Sequence, residues 1–83
     1  MPVVAKVDGV QILFYANEHP PPHFHARIAK HQAVIDIETL SVIEGFLPIA
    51  KRRSILSWAA TRTDALHAAF MQATSHGKVE RIA

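Results

Sequence analysis

Eighty-three residues, 49% of them hydrophobic, with a net charge of +2, describe one small domain, residues 1–83, that closes a single core while burying only roughly 60–65% of its unfolded surface. There are no cysteines, which excludes disulfides and thiolate ligands and leaves nitrogen and oxygen donors for any transition metal. The modest charge argues against a dedicated nucleic-acid binder. No apolar run approaches the roughly 20 residues of a membrane span, and the first residues lack a signal-peptide core, so the expectation is a soluble cytoplasmic protein without membrane association.

Residues 1–47 read as β-rich. Val3–Val7 and residues 10–16 are rich in β-branched and aromatic side chains, and Asp8-Gly9 between them is the strongest short hairpin signal. A two-residue loop there pairs Val7 with Val10 and Ala5 with Ile12. Ile12, Phe14 and Ala16 then share one face, and Leu13 and Tyr15 the other. Apolar groups on both faces suggest a central strand, or one covered by a partner chain.

The block Asn17-Glu18-His19-Pro20-Pro21-Pro22-His23-Phe24-His25-Ala26 follows, holding three of the six histidines. The proline run cannot donate ladder hydrogen bonds and acts as a stiff connector. Residues 23–29 read as a third strand, with Phe24, Ala26 and Ile28 on one face and His23, His25 and Arg27 on the other. His23 and His25 therefore point the same way, as two ligands of one ion would, and His19 supplies a third nitrogen if the prolines fold back. Such a cluster serves as a metal site, a proton-transfer site or a polar clamp on a ligand. Tyr15, just before the block, is placed to hydrogen-bond to it or simply to pack.

Residues 32–38 read as a fourth strand, with Ala33, Ile35 and Ile37 facing one way and Val34, Asp36 and Glu38 the other. A Lys30-His31 loop sets His25 opposite Asp36 and His23 opposite Glu38; an Ala29-Lys30 loop sets His23 opposite Asp36. Either register places an acid on the histidine face, and a three-residue loop would separate them. A carboxylate there would orient an imidazole as general base, or join a metal. A short fifth strand spans residues 42–44.

Residues 48–76 read as helical. Pro48 suits a first turn, and Leu56, Ala59, Thr63, Leu66, Phe70 and Ala73 form one apolar face laid on the sheet. Thr61-Arg62-Thr63-Asp64 interrupts it: either Thr63 caps a second helix or one helix bends. Lys51-Arg52-Arg53 near the helix start is a candidate phosphate contact or a solvated face. Trp58 reads as packing. His31, His67 and His76 read as ordinary surface histidines. Gly77 ends the helical region, and residues 77–83 form a short tail that can add an edge strand through Val79 and Ile82. The fold class is α+β: a small antiparallel sheet of four to five strands with one or two C-terminal helices on one face.

Met1-Pro2, the residue 17–26 block, Ile35-Asp36-Ile37-Glu38-Thr39, Val42-Ile43-Glu44-Gly45, Leu47-Pro48 and Trp58 together resemble the family of small bacterial proteins catalogued as domain of unknown function 4160, over roughly residues 1–75. The resemblance implies a stand-alone bacterial domain encoded beside a second small protein, in a pair that looks like a toxin–antitoxin module.

The leading expectation is accordingly an interaction module with a neighbour-encoded protein partner and a tendency to homo-oligomerise. Its ligand- or partner-binding face carries Tyr15, His19, His23, His25, Arg27 and Glu38. The alternative is a metal-dependent or a histidine-based hydrolase, with RNA as a candidate substrate. His23, His25 and Asp36 would be its catalytic groups, and His19, His23 and His25 would hold zinc or another divalent transition metal. A third reading is a DNA-binding regulator acting through Lys51, Arg52 and Arg53.

Overall fold

The computed structural model describes residues 3–75, 77 and 79–82. Five strands come first: β1 (Val3–Val7), β2 (Val10–Leu13), β3 (His23–Ile28), β4 (His31–Asp36) and β5 (Val42–Gly45). Two helices follow, α1 (Ile49–Ala60) and α2 (Thr63–Thr74). The strands make one antiparallel sheet in the order β1-β2-β3-β4-β5, so the fold is α+β. No described helix is long and apolar enough to cross a membrane.

Two of the strand connections are two-residue turns. Asp8 and Gly9 hold φ of +50° and +79°, the left-handed pair that a tight hairpin turn requires, and Val7 meets Val10 and Ala5 meets Ile12. At the β3–β4 turn Ile28 pairs with His31, so the loop is Ala29-Lys30. Ala29 takes the positive φ (+50°) itself. His23 therefore lies opposite Asp36 and His25 opposite Val34.

Both edge strands are bulged. Val4 is the extra residue in β1, and it sinks into the core together with Ala5. Ile43 is the extra residue in β5: Val34 pairs with Glu44 but Ile35 with Val42.

Directly paired residues share a face. One face carries Ile12, Phe24, Ala26, Ala33 and Ile35, all buried beneath Ile55 and Ala59 of α1 and Leu66, Ala69, Phe70 and Ala73 of α2. α1 lies against β1 and α2 against β3. Lys6, Gln11, Arg27, His25, Val34 and Glu44 occupy the opposite face. Leu13, paired with His25, is fully enclosed there although it stands outside the main core cluster. β2 is an interior strand, with Val10 and Ile12 buried on the core side and Leu13 buried on the other.

Several expected boundaries move. β2 stops at Leu13, leaving Phe14, Tyr15 and Ala16 beyond the ladder. β4 stops at Asp36 rather than residue 38: Ile37 still donates its N–H to the Pro22 carbonyl (3.0 Å), but Leu40 N–H returns to the Asp36 carbonyl (2.9 Å) and the chain turns. The helical region is two helices. Thr63 is the first residue of α2, not its cap; Arg62 holds the cap position and its carbonyl accepts from Leu66 N–H at 2.9 Å. The tail joins the sheet through Ile82 N–H, which donates to the Val4 carbonyl at 2.7 Å, and it adds no strand among the described residues. His76 lies outside the described residues.

Candidate functional site

The proline-rich loop places an acid over the two strand histidines. After β2 the chain turns at Ala16 and Asn17, with Asn17 at φ +63°, a conformation that asparagine tolerates better than most residues. Glu18 returns across the start of β3. Its Oε1 lies 2.5 Å from His25 Nε2 and its Oε2 lies 3.1 Å from His23 Nε2.

The prolines contribute acceptors without donors. The Pro22 carbonyl takes Ile37 N–H, and the Pro21 carbonyl accepts from His23 Nδ1 at 2.7 Å. The Pro20-Pro21 peptide is cis.

Tertiary packing fixes both rings. His23 is buried, its ring centroid 5.3 Å from that of Phe70 on α2 and 5.3 Å from that of His25. Tyr15 meets the His25 ring edge-on at 4.5 Å. The side chains of His25 and Glu18 remain 20% exposed, so the cluster is seated on the core yet open to solvent on one side.

One donor atom from each of Glu18, His23 and His25 lies within 4.8 Å of the others. Ligands on a zinc-sized ion stand roughly 3.3 Å apart, given bond lengths of ~2.0–2.1 Å. Two imidazoles and one carboxylate on one side of an ion form the donor set of facial-triad metal sites, which leave positions open for water or substrate.

The other candidate residues fall elsewhere. His19 is exposed and outside the cluster. Asp36 is buried opposite His23, but its Oδ1 accepts the backbone N–H groups of Glu38 (2.8 Å) and Thr39 (2.9 Å). Glu38 is exposed in that turn and lines a separate hollow with Thr63, Asp64 and His67. Arg27 shares the histidine face and donates from Nε and Nη2 to Gln11 Oε1.

Lys51 reaches the first hairpin, donating to the Asp8 carbonyl (2.9 Å) and pairing with its carboxylate (3.2 Å). Arg52 and Arg53 are exposed. Trp58 packs against the core, with Arg62 over its ring at 5.3 Å.

Glu18 is the member that sequence reasoning passed over in favour of the strand acids. The available signal was its place in the same block as both histidines, one residue after a turn-forming asparagine.

Residues 9–71, well over half of the chain, match the family model described as Domain of unknown function 4160. The chain belongs to that family. The match contains the whole cluster and both carbonyls that orient it. No curated protein and no solved structure matches the chain.

Proposed function

We propose that this member of the domain of unknown function 4160 family binds one divalent transition metal through Glu18, His23 and His25 and uses it for hydrolysis. This is the metal-dependent enzyme reading of the sequence, with Glu18 in place of His19 and the strand acids. The orientation of His23 carries it. A carbonyl oxygen only accepts, so the bond to Pro21 makes Nδ1 an N–H donor. Nε2 then faces the Glu18 carboxylate, an arrangement that calls for a cation between them, either a proton or a metal ion. Metal-bound histidines commonly donate the other ring N–H to a carbonyl in this way. Three protein ligands leave room for a water whose acidity the ion would raise, giving a nucleophile near neutral pH.

The test is zinc and cobalt titration of tag-free protein by calorimetry, with elemental analysis after dialysis. About one ion per chain is expected. Glu18→Gln and His25→Ala should lose it while retaining the far-ultraviolet spectrum of the native fold. Less than ~0.1 ion per chain with no affinity for added zinc would overturn the reading.

A second reading, an interaction module in a toxin–antitoxin-like pair, is favoured by β5. It is an edge strand whose neighbourhood exposes Ile43 (50%) and Phe46 (61%), and an apolar edge is a template for another chain. Purification from the native host should then recover a stoichiometric neighbour-encoded protein. Free monomer alone would count against it.

A further inference from the structure

Beside the cluster, the outer face of the sheet is hollowed. A cavity of about 220 Å³ is lined by His25, Val34 and Glu44, with Gln32, Ala33 and Gly45 completing its wall. His25 pairs with Val34, and Val34 with Glu44. The three side chains thus stand in a row across three strands, on one face. Neighbouring strands lie about 4.8 Å apart, so the backbones of His25 and Glu44 are roughly 10 Å apart with Val34 as an apolar floor between them.

The bulge puts Glu44 there. In a regular strand Val42 and Glu44, two apart, would share a face. Val42 lies opposite Ile35 on the core side, and the extra residue Ile43 carries Glu44 to the outer side opposite Val34. Bulges re-aim side chains in this way and are frequent beside active sites. The Glu44 side chain has no hydrogen bond or ion pair among the described residues. Arg27, a cation on the same face, donates to Gln11 instead.

We infer that this hollow is the ligand subsite of the metal centre, and that it takes a small molecule bearing an alkylammonium or guanidinium group. The inference rests on the metal-binding reading above. The ligand's metal-binding head sits at Glu18, His23 and His25, its aliphatic stem crosses Val34, and its cation meets the Glu44 carboxylate. His25 is the wall common to both compartments.

Zinc-loaded full-length protein is titrated with 6-aminohexanohydroxamate and with hexanohydroxamate, which share a metal-binding head and differ in the terminal ammonium. The amino compound should bind about tenfold more tightly, as one charged hydrogen bond supplies. In Glu44→Gln that ratio should fall to near one, with zinc affinity and hexanohydroxamate affinity unchanged. Equal binding of the two compounds by the parent protein, no binding of either, or a preference that survives Glu44→Gln would each overturn the subsite while leaving the metal reading standing. Failure to take up zinc at all would overturn both.

Discussion

His23 and Asp36 stand directly opposite one another in the β3–β4 ladder, and their side chains do different work. His23 Nε2 turns to Glu18. Asp36 turns to the chain that follows it, where Oδ1 accepts two backbone N–H groups and shapes the exit from β4. Replacing Asp36 with alanine should therefore cost about 1–3 kcal/mol of stability, since two turn N–H groups lose a charged acceptor. Asp36→Asn, which keeps an acceptor oxygen, should retain most of it. Urea denaturation measures both variants. Zinc affinity should be the same in both as in the parent chain, and a large loss of affinity in Asp36→Asn would show the acid to be part of the site.

Asp8 joins the first hairpin to α1. Its carboxylate accepts from Ser54 Oγ at 2.8 Å and pairs with Lys51. The Ser54 hydrogen bond first, and then the hydrogen bond and charge of Lys51, hold its pKa below the ordinary aspartate range. A carboxylate with a lowered folded-state pKa favours the native state at pH values above its unfolded pKa of ~3.9. That contribution disappears as pH falls through the lower, folded value. Asp8→Asn preserves a residue suited to positive φ and removes the titration. Its stability should fall below the parent's at neutral pH and converge with it toward pH 2. A constant gap across that interval would show that the charge plays no part.

How far the sequence revealed this molecule depends on whether the determining interaction is local. Asp8-Gly9 carries its own turn geometry, so the β1–β2 register could be read directly. Thr61-Arg62-Thr63-Asp64 marked an interruption in the helical region, though not whether it parted two helices or bent one. The β3–β4 turn could be narrowed only to alternatives, because Ala29 holds the left-handed position where glycine would have announced it. The bulge at Ile43 is marked in Val42-Ile43-Glu44-Gly45 only by the glycine, which hints at a bulge or a close approach without placing it. In the cluster, the shared outlook of His23 and His25 followed from strand alternation. The acid that meets them did not, since Glu18 arrives by a loop folding back over the sheet, and strand pairing offered Asp36 instead.

Ala29 offers a direct test of that turn. A non-glycine residue in the left-handed region bears a cost of ~1–2 kcal/mol, and glycine removes it while giving back part through greater freedom in the unfolded chain. Ala29→Gly should be neutral to stabilising by up to about 1 kcal/mol, or up to ~4–8 °C in Tm for a domain of this size. A clear destabilisation in thermal denaturation would mean that Ala29 is not in this conformation.

Gly45 and Gly9 both have φ near +80°, yet they should respond very differently to alanine. A Cβ on Gly9 would meet only Ile28 Cδ1, at 3.6 Å, an ordinary contact. The cost of Gly9→Ala is then conformational, about 1–2 kcal/mol. A Cβ on Gly45 would lie within van der Waals overlap of the Gln32 carbonyl and 3.0 Å from Ala33 Cα. Those are backbone atoms of β4, and Phe46 N–H is bonded to the same carbonyl at 2.9 Å, so neither side can give way without breaking the β4–β5 ladder. Gly45→Ala should cost upward of about 3 kcal/mol, the sum of conformational strain and a disrupted edge. Hydrogen exchange should show the loss concentrated in β5 and in the N–H groups of β4 that face it. The same variant should displace Glu44 and close the hollow beside His25, whereas Gly9→Ala, at the far hairpin, should leave both intact. If Gly45→Ala proved as mild as Gly9→Ala, the close approach of β5 to β4, and with it the placement of Glu44, would be refuted.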